Sequence, residues 1–460
     1  MSSSRTPRRG AVAVITLALG LLAGLLAAIS PARADYPDIS TFIPAAPSTY
    51  IPAERDASDI RYLIIHDTDV SYAGTVGLFT TPGHCCSAHY LVSGAVGSAD
   101  PGVTQFVKDT NIVHQSGNLW MNEHSIGVEH VGFAAFPNGY YTPKLYRRSA
   151  KLIGWLAAEY RIPLDRSHIL THSDVPGGPL EAGQAITPDN VHNQHWDPGP
   201  YWDWNYYWPL VESAYDKALK GTTVQPELPK KFRATNSTLR QLVPGHQYDG
   251  KQDVGNWSNT LHTSFAPVYA NDGGRPDLNT LVLGASDPRT FVPPETSAGT
   301  PTANVRDFVC DNYPAVIFEP DAGPNGTSSN YPITASDLRA KADWGSTFVS
   351  DRTKRTRGVT YDRIWFNGTR GWIPRNLTVA GSGAVVTFKK NGSTDVYSSP
   401  QESPDFSTCS DQGLGYSRAG QSYVSQYQFT LAGQKWFALD YNHRLVYVPK
   451  DQVKVSTAGQ

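Results

Sequence analysis

The chain has 460 residues, with 39 Lys and Arg against 41 Asp and Glu, a formal net charge of −2. That length exceeds one compact core and predicts two to four domains. Nearly balanced charge with no basic face excludes nucleic acid as an expected partner, because phosphate binding needs clustered Lys and Arg.

Residues 1–34 read as an export signal. Arg5, Arg8 and Arg9 form a positive n-region, Ala11 to Ile29 an apolar run, and Ala32-Arg33-Ala34 a small-x-small cleavage site. A membrane anchor is the alternative, but the cleavage motif follows at once and Gly20 and Gly24 weaken a helix. Arg8-Arg9 leaves both the general and the twin-arginine routes open. No later segment is apolar and long enough to span a bilayer, so no stable membrane insertion is expected after cleavage. Export brings the chain into an oxidising space, where its four Cys favour disulfides. Cys310 and Cys409 are expected to pair. Cys85 and Cys86 are adjacent, and a bond between them is expected to be strained.

From about residue 50 to 221, strand and helix signals interleave, which predicts an α/β domain. Arg61 to His66 reads as a buried strand ending on a His; His89 to Ser93, Thr104 to His114 and Ile126 to His130 are further strands. Thr142-Pro143 caps a helix running through Tyr160, with Leu145, Ser149, Leu152, Ile153, Leu156, Ala157 and Tyr160 on one face. His172 follows the short apolar run His168-Ile169-Leu170, and the Pro-rich stretch after it carries Asp197-Pro198-Gly199 between tryptophans; a second helix is expected from Trp208-Pro209 to Gly221.

Residues 222–231 (TTVQPELPKK) form a Pro-containing linker, after which helical periodicity fades and short alternating strands appear. Trp372-Ile373-Pro374-Arg375-Asn376 recurs as Tyr447-Val448-Pro449-Lys450-Asp451 at a period of 75, each preceded by a Trp-bearing strand. This predicts two small β-barrels, at 306–380 and 383–456, with 232–305 a β-rich, incomplete third copy. The paired pattern resembles bacterial SH3-like domains, which commonly bind cell wall. The 11 Trp and 24 Tyr suit stacking on sugar rings.

His66 and His172 at strand ends, with Asp197 in a turn, suit a metal: three His and carboxylate ligands with a fourth position open to water are a catalytic zinc pattern. The motifs YLIIHDT, SAHYLV, NIVHQSGN, SIGVE, ILTHSDV and DPGPYWDW follow one another in that order. This series resembles the zinc-dependent N-acetylmuramoyl-L-alanine amidases of the amidase-2 type, the family that includes the peptidoglycan recognition proteins.

By that resemblance His66, His172 and Asp197 are the Zn2+ ligands, and Glu129 of the SIG-x-E motif faces the metal as general base. A related branch places a Tyr just before the HYLV histidine; here that position is Ala88, so the base role falls on Glu129. His195 takes a position where relatives carry a donor to the scissile carbonyl, while His89 and His114 fall in groove-lining motifs. The bland readings are a core His for each of the latter two, a surface His195, and an ion pair between Glu129 and a neighbour such as His130. His172 and Asp197 are 25 residues apart, longer than the nearest bacterial pattern, so residues 179–193 are expected to form a loop at the groove rim. The expected protein is a secreted, monomeric amidase acting on peptidoglycan. A non-catalytic peptidoglycan-binding protein and a zinc peptidase cutting elsewhere in the stem peptide are the alternatives.

Overall fold

A computed structural model describes residues 36–95, 100–133, 140–175, 197–198, 202–220, 235–242, 265–269, 338–343, 345–356, 359–366, 369–389, 397, 399–400, 419–441 and 444–457. The chain falls into two compact units, residues 1–37 and 38–460; the second carries everything below. The export signal, the linker and the Cys310 and Cys409 pair lie outside the described residues.

The first part of this unit interleaves β1 (Thr41–Phe42), β2 (Tyr50–Ile51), β3 (Tyr62–Ile65), α1 (Tyr72–Thr80), β4 (Tyr90–Val92), β5 (Val103–Gln105), β6 (Ile112–Val113), α2 (Leu119–Glu123), β7 (Ser125–His130), α3 (Pro143–Glu159), β8 (Ile169–Thr171) and α4 (Trp204–Lys220). Six strands form one sheet in the order β1-β5-β4-β7-β3-β8. β4, β7, β3 and β8 run parallel, and β5 is antiparallel to β4. All four residues of β3 are buried, the uninterrupted apolar run a central parallel strand needs because both its faces are covered.

The expected helix after Thr142 is α3. The Thr142 side chain accepts a hydrogen bond from Leu145 N, and Pro143 occupies the first turn, where its missing N–H costs nothing. Leu145, Ser149, Leu152, Ile153, Leu156 and Ala157 are all buried. α4 packs alongside so closely that a Cβ on Gly154 would lie 2.6 Å from Tyr215 N.

Three local expectations differ from the structure. Thr104 to His114 is two strands, β5 and β6, separated by a turn in which Asn111 N donates to Lys108 O. α4 starts at Trp204, before Pro209, because the Asp203 side chain accepts from Tyr206 N in the manner of an N-cap. The short helices α1 and α2 carry Ser71 and Asn118 as side-chain caps; their capping signals sit in stretches without a long apolar period.

The remaining described residues are β-rich. β9 (Thr235–Leu242), β10 (Phe265–Tyr269), β11 (Leu338–Asp343), β12 (Thr347–Thr356), β13 (Val359–Phe366), β14 (Thr369–Pro374) and β15 (Thr378–Ser382) form one sheet in the order β11-β10-β14-β13-β12-β9-β15. β9 and β10 come from the segment expected to be a separate incomplete copy; they pair instead within the sheet of the first copy. The second copy comprises β16 (Ala384–Phe388), β17 (Ser422–Ser425), β18 (Gln428–Leu431), β19 (Gln434–Tyr441), β20 (Arg444–Pro449) and β21 (Val453–Thr457). The sequence repeat is a structural one. In each copy a Trp-bearing strand pairs with a strand ending in Pro, and a single 3₁₀ turn, Arg375–Leu377 or Lys450–Gln452, leads to the closing strand.

The second copy docks on the α/β sheet. Tyr62, Ile64, Trp120, Met121, Leu170 and Val175 share one buried apolar core with Tyr397, Trp436, Leu445 and Tyr447. Tyr447 is fully buried, packs edge-on to Trp120 at 5.3 Å between ring centroids, and donates its hydroxyl to Tyr62 Oη at 3.2 Å. Tyr427 hydrogen-bonds Asp165. The sequence pointed to two separable units joined by a linker; the structure joins them by side-chain packing.

Candidate active site

The register of the parallel strands sets the site. Ile64 of β3 lies opposite Gly127 of β7 and Leu170 of β8. Two residues further along, alternation brings His66, Glu129 and His172 to the same face at the carboxyl ends of three adjacent strands, where open α/β sheets place their ligands.

His66 Nδ1 and His172 Nδ1 are 2.9 Å apart. Asp197 completes a triangle: Oδ1 lies 2.9 Å from His172 Nδ1 and Oδ2 lies 3.2 Å from His66 Nδ1. Asp197 precedes Pro198 through a cis peptide bond, and its Oδ2 also accepts from Asp67 N at 3.2 Å. All three residues are buried and can offer ligand atoms to one ion. Tetrahedral zinc with bonds of about 2.0–2.1 Å separates its ligand atoms by roughly 3.3 Å, so the donor set fits. Two imidazole nitrogens and a carboxylate turned to one point also match the chemistry of a divalent cation better than that of a hydrogen-bond network. Burial opposes the charge on Asp197, but His172 and His66 outweigh it and hold the carboxyl well below its usual range. Burial depresses His172, against the pull of Asp197.

Glu129 is half-buried, and its Oε2 is shielded from solvent with no hydrogen-bond partner. Burial, then the negative charges of Asp197 and Asp69, push its carboxyl well above the ordinary range. A carboxyl held closer to neutrality takes up and releases a proton more evenly, as a shuttle requires.

Residues 56–200 match the family model Amidase_2, described as N-acetylmuramoyl-L-alanine amidase, and the match spans all four of these residues. Residues 56–200 are an N-acetylmuramoyl-L-alanine amidase domain. An N-acetylmuramoyl-L-alanine amidase A from Achromobacter lyticus is 28% identical over 177 residues, covering 36% of this chain and 90% of that protein. The crystal structure of AmpDh3 from Pseudomonas aeruginosa is 20% identical and covers 40% of this chain and 76% of its own, with a TM-score of 0.26. The amidase AmiD from E. coli, in complex with the substrate anhydro-N-acetylmuramic acid-L-Ala-D-gamma-Glu-L-Lys, is 20% identical over 35% of this chain and 60% of its own, with a TM-score of 0.25.

The other expected site residues of the amidase domain fare differently. His89 is fully buried: its Nδ1 accepts from Gly127 N, its Nε2 faces Asn111 O, and the Arg55 guanidinium lies beside it. Burial, reinforced by Arg55, keeps it neutral. His89 therefore braces β4 against β7 and does not line the groove. His114 remains half-buried and donates from Nδ1 to Cys85 O at 3.3 Å. Cys85 and Cys86 form a disulfide with each other in spite of their adjacency. His195 lies outside the described residues, as does the rim loop at 179–193.

One residue of the site was missed. Gln115, next to the motif histidine His114, reaches His66: its Oε1 is 3.1 Å from His66 Nε2. A polar residue adjoining a motif His was the available signal, but which of the two faces the sheet depends on the turn before β6.

Proposed function

We propose that the chain is a secreted, zinc-dependent amidase that hydrolyses the bond between the lactyl group of N-acetylmuramic acid and the first L-alanine of the peptidoglycan stem. The observation that carries the reading is the convergence of His66 Nδ1 and His172 Nδ1, both at strand ends, with the turn residue Asp197, and Glu129 on the same face. The bound zinc would polarise the scissile carbonyl and acidify a water. Glu129 would take a proton from the attacking water as the water oxygen bonds to the carbonyl carbon. It then delivers the proton to the alanine nitrogen as the C–N bond breaks, leaving a muramyl carboxylate and a free amine. His195 is proposed to donate a hydrogen bond to the developing oxyanion, and His114 to contribute to the groove wall. A non-catalytic binding protein would have no use for the complete ligand set with the Glu129 carboxyl on the same face.

Residues 1–34 are proposed as the cleaved export signal and the SH3-like copies as the part that holds the monomeric enzyme to the wall. Alanine at His66, His172 or Asp197 tests the metal assignment. Each variant is expected to lose zinc and activity, because two remaining ligands compete poorly with water. Zinc near one per chain in all three variants refutes the site.

A further inference from the structure

We infer that Gln115 is a positioning residue that sets the tautomer of His66 for metal binding; the inference rests on the metal reading above. The hydrogen-bond donors can be assigned from a fixed end. Ser125 Oγ lies 2.6 Å from Met121 O, a carbonyl that only accepts, so the single Ser125 hydroxyl hydrogen is committed there. Gln115 Nε2, 2.9 Å from Ser125 Oγ, must then be the donor of that pair, which turns Gln115 Oε1 toward His66 Nε2 at 3.1 Å. An amide oxygen only accepts, so His66 carries its hydrogen on Nε2 and leaves a lone pair on Nδ1. Nδ1 is the nitrogen that faces His172 and Asp197. Outer hydrogen bonds of this kind fix ring orientation and raise ligand basicity.

The backbone makes room for this arm. A Cβ on Gly127 would sit 1.4 Å from Gln115 Oε1 and 2.4 Å from its amide carbon, so any side chain there evicts Gln115 from its seat. Gln115 N also hydrogen-bonds Asn122 Oδ1, tying the arm to α2. The Ser and Gly of the SIGVE stretch thus acquire distinct jobs: Ser125 anchors the amide, Gly127 clears its path, and Glu129 faces the substrate.

The test is zinc affinity of the full-length protein, measured by competition with a chromogenic chelator alongside the melting temperature of the metal-free form. Gln115→Leu is expected to weaken zinc binding by about 10–100-fold, the usual effect of losing such a partner, with little change in metal-free melting temperature. Gln115→Glu keeps an acceptor of the same shape and is expected to bind zinc at least as tightly as the wild type. Gln115→Met deletes the acceptor with a flexible chain of similar length and decides the question if the leucine variant does not fold. Wild-type zinc affinity in the folded Leu or Met variant overturns the inference. Failure of the wild type itself to bind zinc refutes the metal reading instead, so the two failures are distinguishable.

Discussion

Glu129 and His130 are neighbours on β7 and project to opposite faces of the sheet. His130 donates from Nδ1 to His66 O at 2.8 Å and meets Ser149 Oγ of α3 at 2.6 Å, while Glu129 shares the face on which Gln115 reaches His66. An ion pair between the two would require one of them to cross the sheet, so Glu129 is not a structural partner of His130. Glu129→Gln is nearly isosteric and cannot take up a proton. Turnover is expected to fall roughly 100-fold or more, with KM and zinc content little changed. Full activity in a zinc-loaded Gln variant would remove Glu129 from the mechanism.

Tyr447 ties the second β-rich copy to the sheet that carries the site. Tyr447→Ala empties a fully buried ring position against Trp120 and is expected to cost about 3–5 kcal/mol, read as a lowered midpoint in denaturant. Tyr447→Phe keeps the ring and loses only the hydrogen bond to Tyr62, about 1 kcal/mol. Equal stability of the Ala variant and the wild type would mean that the two parts are not joined through this core. By the same logic, truncation at the linker exposes Tyr62, Ile64, Trp120, Met121 and Leu170, and the shortened chain is expected to aggregate.

Asp440 gives the same interface a pH dependence. It borders a small cavity with Arg166, Asp174, Thr347, Gln426 and Leu445, and its Oδ2 accepts from Thr347 N at 3.0 Å. Burial raises its carboxyl from an ordinary 3.8 to about 7, with Asp174 adding to the shift and Thr347, Ser346 and Arg166 opposing it. Between pH 4 and 7 the folded protein keeps a proton that the unfolded chain releases, so stability falls as pH rises through this window, and the full penalty is present above pH 7. Part of the side chain still meets solvent, which limits the effect to about 1–3 kcal/mol. Asp440→Asn should remove this slope, raising the melting temperature relative to the wild type at pH 8 and matching it near pH 4. Melting curves of the two proteins that stay parallel across that range would contradict the assignment.

What could be read from residues alone was local. The strand running up to His66, the Thr142-Pro143 cap and the recurrence of Trp372-Ile373-Pro374-Arg375-Asn376 as Tyr447-Val448-Pro449-Lys450-Asp451 each follow from a few adjacent side chains, and the structure bears out all three, with β3 ending one residue earlier, at Ile65. The pairing of β9 and β10 with strands roughly 70–150 residues away, and the docking of Tyr447 on Tyr62, depend on long-range packing that no local pattern encodes. The site divides the same way. His66 and His172 were legible as strand-end histidines, whereas His89, which opens a strand and was assigned to the groove by its motif alone, is buried by Arg55, Gly127 and Asn111. Gln115 was passed over because the turn at 108–111, which decides whether His114 or Gln115 faces the sheet, is stabilised by contacts of Asp109 with Arg55, Tyr90 and Tyr160.

The most direct measurement is mass spectrometry of the products released from purified peptidoglycan by the zinc-loaded full-length protein, its chelator-treated form and the His172→Ala variant. Zinc hydrolysis of the muramyl–alanine amide predicts free stem peptides with an N-terminal L-alanine and glycan strands bearing lactyl carboxylates, in the zinc-loaded sample alone. Fragments cut within the stem peptide, or equal product from the chelated enzyme, would contradict it.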